Sequence, residues 1–480
     1  MKRLFTAKKP EHAHTQGDCY TDWLEESEEY DRRTSGHQWR ETDESQLYDY
    51  LSIRKRLEKL RRLRKKGDDE ALLFALNEGI HGNTAGIGQA RLYQEAKSGT
   101  KLLIEDFISE ICMALIHLSH RETSAIPWEE RREFFHRASH CYGRSALMLS
   151  GGGTLGYFHF GVLKALVEQK LCPRVISGAS AGAFVAAIIG TRTDGEYLQL
   201  FEGDALALAL TSNREDIKIG FGSGDKIDMG KIKRELARLI PDMTFLEAFE
   251  KTGRSINITV SPAEPRQNSR LLNHMSSPSV TIRSAVLASS ALPGVFRPVQ
   301  LEARNVRGKV QPYLPSRRWI DGSFSQDLPA RRLARMHGVN HFIVSQVMPG
   351  LGREPRLHPG VRKILSDASV AATKEVVRGS LDLIQRYFTV GPKTGVAMNT
   401  LNALIDQRYS GDINIYPKYG FESLASLLKV LSPEEMIELF KDGERATWPR
   451  MPAIEATTRI GRTLDEILHT VEADDRFTVT

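Results

Sequence analysis

A chain of 480 residues is too long for one ordinary core and implies two or three packed units. Its 41% hydrophobic content excludes general disorder, and 66 Lys and Arg against 60 Asp and Glu leave a net charge of +6. That excess suits an anionic lipid surface or a nucleic acid equally, so the distribution of charge has to decide.

The four cysteines, Cys19, Cys112, Cys141 and Cys172, form no C-x-x-C pair and suit a reducing compartment. The first residues carry Lys2, Arg3, Lys8 and Lys9 but no apolar run follows, so no classical secretory signal peptide is expected. No stretch approaches the roughly 18 uninterrupted apolar residues of a membrane span. An intracellular protein is expected, cytoplasmic or peripheral on a membrane or lipid surface.

Residues 23–140 are charge-rich with a helical pattern, so 1–140 reads as a mostly helical N-terminal domain. Within it Leu57, Leu60 and Leu63 recur at helical spacing among Arg54, Lys55, Arg56, Lys59, Arg61, Arg62, Arg64, Lys65 and Lys66. Such a basic amphipathic helix can lie on an anionic membrane or pack its leucines on neighbouring helices, the commoner use. It lacks interleaved aromatics, so no nucleic acid partner is expected.

From 144 to 349 short apolar runs alternate with glycine-rich turns and helices, as a mainly parallel α/β sheet requires. Residues 146–149 read as a strand, 151–156 as a loop, 160–167 as a helix, 175–176 as a strand and 183–189 as a buried helix. Beyond Pro349 a helical stretch over 361–388 and mixed segments suggest a mostly helical C-terminal extension, 350–480.

Between the second strand and the buried helix lies Gly178-Ala179-Ser180-Ala181-Gly182, of the Gly-x-Ser-x-Gly form. There a serine sits on a sharp turn, flanked by glycines because side chains would strike the neighbouring strand or helix. By chance on the order of 0.2 such matches are expected in a chain this long, so the strand–turn–helix context carries the weight. Gly151-Gly152-Gly153-Thr154-Leu155-Gly156 sits between strand and helix, where bare backbone N–H groups could surround an oxyanion. It also fits G-x-G-x-x-G, but a dinucleotide site needs an acidic residue about 20 positions on, where this chain has the serine turn. No histidine falls in a recognisable catalytic setting. His159 lies on the helix behind the loop, and His337 and His341 flank a helix-to-strand turn. Asp321, ending the apolar run Trp319-Ile320 and followed by Gly322, is the better candidate base, although Asp-Gly is also an ordinary turn signal.

Glycine loop, serine turn and late Asp-Gly, in that order, resemble the patatin-like phospholipases, matched at 151–156, 178–182 and Asp321-Gly322. Ala288-Ser289-Ser290-Ala291-Leu292-Pro293 is similar to a segment that would wall the family's active site. Leu155, where the family often has Arg or Lys, and Ser323, where it often has Gly or Ala, depart from the pattern. The triacylglycerol-lipase branch, with its extra N-terminal helical domain, is resembled by Gly86-Ile87-Gly88, Leu92-Tyr93, residues 99–105, 319–329, Ser345-Gln346-Val347, 409–413 and 443–449.

The resemblance implies a patatin-like three-layer α/β/α core with a mainly parallel sheet, preceded by the α-helical domain. It implies a serine acyl hydrolase of glycerolipids, most of all a triacylglycerol lipase with transacylase side activity. Ser180 and Asp321 would form the dyad, Gly151, Gly152 and Gly153 the oxyanion hole, and Gly178 and Gly182 the turn's glycines. No metal or organic cofactor is expected, and the expected partners are the glycerolipid and, peripherally, a membrane or lipid-droplet surface. A non-catalytic lipid-surface scaffold that keeps the fold, and a Ser-His-Asp triad on an ordinary α/β-hydrolase fold, remain the competing readings.

Overall fold

The computed structural model describes residues 18–80, 82–120, 126–211, 229–264, 267–292, 296–323, 327–347, 411–418 and 431–478. The helix expected over 361–388 lies outside them, as does Pro293.

Among the described residues six α-helices come first: α1 (Tyr20–Arg33), α2 (Gly36–Glu41), α3 (Tyr50–Lys66), α4 (Asp69–Asn77), α5 (Leu102–Ser119) and α6 (Trp128–Tyr142). The local causes of α3 are readable. The Asp49 side chain caps it by accepting from Ser52 N–H, and Gly67 ends it at a left-handed φ of 68°. Ile53, Leu57, Leu60 and Leu63 fall on one face and are buried in a core shared with α4, α5 and α6. On the other side Arg54 pairs with Asp43, Lys59 with Glu78, and Arg61 and Arg64 with Glu110. Packing therefore takes the leucine stripe, which leaves α3 without a free apolar face to lay into a membrane.

The sheet follows. Its strands are β1 (Arg144–Leu149), β2 (Val175–Gly178), β3 (Ser255–Pro262), β4 (Arg270–Leu272), β7 (Trp319–Asp321), β8 (Val339–Ser345) and β9 (Ile413–Ile415), while β5 (Glu302–Arg304) and β6 (Val310–Pro312) form a separate hairpin. The order is β4-β3-β2-β1-β8-β9, with β7 also on β3. β1, β2, β3, β8 and β9 are parallel, and β4 and β7 run against β3. Nearly every residue of β2 and β3 is buried, as befits strands covered on both faces.

The connecting helices are α7 (Phe158–Glu168), α8 (Ala181–Gly190), α9 (Asp194–Leu198), α10 (Ala205–Thr211), α11 (Met229–Leu239), α12 (Phe245–Thr252), α13 (Ile282–Ser289) and α14 (Ala330–His337). On one face of the sheet Leu147, Ile176, Ile258 and Ile343 join α7, α8 and α13 in the main core. On the other, Ala146, Met148, Val175 and Val344 meet Leu333 of α14. Together these make a mainly parallel sheet between two helical layers.

The end of the chain serves both units. β9 extends the sheet beyond β8. α15 (Pro433–Thr447) crosses α7 with glycine at the contact on each side: a Cβ on Gly161 would strike the Phe440 carbonyl oxygen, and one on Gly443 the Phe158 carbonyl oxygen. Lys164 closes the crossing with a 2.6 Å bond to Glu444. α16 (Met451–Thr478) then returns to the helical domain, where Ile460 and Leu464 are buried and Tyr142 Oη donates to Thr457 O at 2.8 Å. Gly161→Ala must push two backbones apart, and overpacking of this kind costs about 1–3 kcal/mol. The expected outcome is a Tm several degrees below wild type with faster proteolysis of the α15 region, read by thermal denaturation and limited trypsin digestion.

Candidate active site

β1 and β2 end side by side, Leu149 opposite Gly178, and the chain turns out of the sheet after both. After β2, Ser180 stands at φ 52° and ψ −119° immediately before α8, a left-handed placement that a serine rarely adopts. The turn closes only because its glycines lack side chains: a Cβ on Gly178 would strike the Gly182 carbonyl, and one on Gly182 the Leu149 carbonyl. The strained backbone is held by Ser289, whose hydroxyl accepts the Ser180 N–H at 2.9 Å and donates to Thr259 O at 2.8 Å. Behind Ser180 the N-terminus of the apolar helix α8 favours negative charge.

The position of Asp321 follows from strand pairing. β3 pairs with β2 as far as Ile258–Gly178, and two residues later Val260 pairs with Asp321 of β7. The opposite edge of β3 is already occupied by β4, through Ile258–Leu272 and Val260–Arg270. β7 thus continues on the β2 side, in the space that β2 leaves when the chain turns out at Ser180. Asp321 N–H donates to Ala291 O at 3.0 Å, so the last residue of α13 and the segment just after it brace both residues.

Asp321 is fully buried, and its Oδ1 accepts from the N–H and the hydroxyl of Ser323, both at 2.8 Å. Its Oδ2 is buried without a hydrogen-bond partner among the described residues. Burial pushes the carboxyl up to about 6, against the Ser323 bonds and the nearby Ser180 hydroxyl, which pull it down. Ser180 is therefore beside the carboxylate but short of a formed hydrogen bond, a looseness common before substrate arrives.

The glycine loop comes over this pair from β1. A Cβ on Gly151 would lie 3.2 Å from Ser323 Cβ, 3.4 Å from Ser180 Cβ and 3.5 Å from Asp327 Oδ1, and one on Gly156 would strike Ala181 Cβ. The expected loop over 151–156 is in part a single 3-10 turn over Gly153–Tyr157, entered through Gly153 at φ 56°. The three expected oxyanion donors differ. The Gly151 amide is spent on Asp327 Oδ1 at 2.8 Å, whereas the amides of Gly152 and Gly153 have no acceptor among the described residues. Only the latter two are open to a ligand.

Asp327 is the residue that sequence reasoning overlooked. It is buried, and burial pushes its carboxyl up to about 8, opposed by the Gly151 N–H and reinforced by the charge of Asp321. That shift favours the neutral carboxyl, which anchors the loop through the Gly151 amide. Asp-Leu-Pro in the sequence reads as an ordinary turn, and the only signal for a role was its place six residues after Asp321.

The histidines lie elsewhere. His159 is buried behind the loop, Nδ1 accepting from Ser345 Oγ at 2.7 Å and Nε2 donating to Ser150 O at 3.0 Å, and burial pushes it down to about 4. His341 meets Ser145 near the start of β1, and His337 meets Asn257 of β3, and neither histidine bonds to Ser180 or Asp321 among the described residues. Among the described residues no His, Cys, Asp and Glu gather closely enough to hold a metal ion. No described helix is long and apolar enough to cross a membrane.

Comparison with known proteins now bears on this arrangement. Residues 147–334 match the patatin-like phospholipase model, and residues 6–140 match a domain of unknown function. Triacylglycerol lipase ptl3 of Schizosaccharomyces pombe is 34% identical over 90% of this chain and 91% of its own. The chain belongs to the patatin-like phospholipase family. A patatin-like phospholipase domain-containing protein of Emericella nidulans, AN0408, is 32% identical over 95% of this chain, which spans 64% of that longer protein. Among solved structures, VipD of Legionella pneumophila aligns with 66% of this chain and 67% of its own at 15% identity, with a TM-score of 0.33.

The Gly151–Asp327 contact makes a prediction independent of turnover. Asp327→Ala leaves a buried amide without an acceptor, at a cost of about 1–3 kcal/mol. Asp327→Asn, which copies the neutral carboxyl, keeps the bond. Denaturant titration is expected to show a clear loss for the alanine variant and little change for asparagine.

Proposed function

We propose that this patatin-like protein is a serine acyl hydrolase of glycerolipids, with triacylglycerol as its main substrate, acting through Ser180 and Asp321. The observation that carries the reading is the buried, unpartnered Oδ2 of Asp321 beside a serine held in a strained turn. The triacylglycerol preference rests on similarity to the S. pombe lipase over nearly the full length of both chains.

Asp321 Oδ2 takes the hydroxyl proton as Ser180 Oγ bonds to the ester carbonyl carbon. The carbonyl oxygen becomes an anion and is received by the Gly152 and Gly153 amides, with the N-terminus of α8 behind. Collapse breaks the bond to the glyceride oxygen, which leaves with the proton from Asp321, and Ser180 carries the acyl group. Water then gives a proton to Asp321 and attacks the acyl carbon. The free acid departs and Ser180 recovers its proton. A glyceride hydroxyl in place of that water gives transacylation.

A carboxylate is a weak base towards an alcohol, so the scheme depends on a dry site and fixed contact. The base must be ionised, so with its carboxyl near 6 the rate is expected to rise with pH through that region and fall below it. Ser323→Ala removes a bond that favours the ionised form, and the acid limb should move up by as much as about one pH unit.

The test is hydrolysis of a p-nitrophenyl ester, triolein and phosphatidylcholine by wild type, Ser180→Ala and Asp321→Asn. Loss of about a thousandfold or more in both variants, with unchanged folding and triolein ahead of phosphatidylcholine, is the expected outcome. Full activity in Asp321→Asn would remove the dyad, and an inactive wild type would leave the scaffold reading.

A further inference from the structure

Residues 303–320 contain five cations, Arg304, Arg307, Lys309, Arg317 and Arg318, and no acidic residue. They cover nearly all of the β5–β6 hairpin and run on into β7. The tip is a built turn. Asn305 N–H donates to Lys309 O, and the Asn305 side chain accepts from the N–H groups of Arg307 and Lys309 at 2.9 and 3.1 Å.

Held at that tip, Val306 is 104% exposed. Val310 is also exposed at 46%, and Leu314 at 36% stands at a φ of 50°, in the left-handed region that favours glycine. Three apolar side chains on one short segment thus face water, one of them from strained backbone.

The charges around them divide cleanly. Arg304 is held by Asp242 and Glu247, and Arg317 by Glu264. Arg297, Arg307, Lys309 and Arg318 are exposed and have no ion pair among the described residues. Arg297 and Val310 line the same open groove of about 470 Å³ at the base of the hairpin.

The segment is tied to the catalytic strand. Val299 and Trp319 exchange hydrogen bonds at 2.8 Å, Tyr313 N–H donates to Leu301 O, and Asp321 lies two residues beyond Trp319. A surface that held the hairpin would hold β7 with it.

We propose that residues 305–318 are a docking surface for an anionic phospholipid surface, with Val306, Val310 and Leu314 entering among the headgroups and Arg297, Arg307, Lys309 and Arg318 against the phosphates. Exposed apolar side chains on a segment that also carries unpaired cations fit the lipid–water boundary, where apolar area is buried and each cation gains from nearby negative charge. This deepens the proposed lipase reading, on which it rests for its purpose, by naming the face that meets the lipid. α3 offers cations too, but its apolar side is buried in the helical domain.

The experiment is co-sedimentation of Ser180→Ala protein, which leaves lipid intact, with phosphatidylcholine vesicles with and without phosphatidylserine. The parent is expected to bind the phosphatidylserine vesicles more tightly and to release as salt rises. Adding Val306→Asp, Arg307→Glu and Lys309→Glu together should weaken that binding by about tenfold or more. In the Ser180 background these three changes should leave Tm and the hydrolysis of a water-soluble ester unchanged. Equal binding by the triple variant and its parent would overturn the docking surface, as would a parent that binds neither vesicle or does not distinguish them. Because binding is read without turnover, those results leave the hydrolase reading to its own test on the soluble ester.

Discussion

The structure turns on a carboxylate taken out of water. Asp321 is fully buried, its Oδ1 satisfied by Ser323 and its Oδ2 left open beside Ser180. An ionised group in that position is costly, and the cost appears as a carboxyl raised to about 6. In the proposed scheme the raised value makes it a better base, and the open oxygen gives it one place to act. Everything nearby maintains the pair. Ser289 and Ala291 hold the two backbones, Asp327 holds the loop over them, and β3 sets the distance between strand ends by pairing β2 and β7 in sequence.

The two units of the chain are bound by its last part. α15 lies on α7, the helix that follows the glycine loop, at a contact so close that only glycine fits on either side. α16 packs into the helical domain and bonds to Tyr142, two residues before β1 begins. Loop position, and with it the donors of Gly152 and Gly153, therefore depends on residues almost 300 positions later in the chain, such as Glu444 on Lys164.

What could be read from sequence was what local rules determine. The serine turn, its glycines and the buried helix after it follow from steric exclusion and hydropathy, and they stand where expected. The second strand was read two residues short, because Ser177 and Gly178 carry no hydropathy signal and belong to β2 through their pairing with β1 and β3. Gly151 looked equivalent to Gly152 and Gly153, since nothing local reveals that a carboxylate 176 residues away takes its amide. Ser323 read as a departure from a pattern, whereas the fold makes it the group that holds the Asp321 carboxylate. The leucines of α3 suited membrane or core alike, and only the surrounding helices decide between them.

The claim that Asp321 activates Ser180 without a histidine is tested most directly by the rate at which a fluorophosphonate labels Ser180 across pH, followed by intact-protein mass spectrometry. The account predicts a single adduct on Ser180, labelling that rises through a midpoint near 6, and its near-complete loss in Asp321→Asn with no comparable loss in His159→Asn protein that stays folded. Labelling of Asp321→Asn at the wild-type rate, or a profile flat through that range, would contradict it.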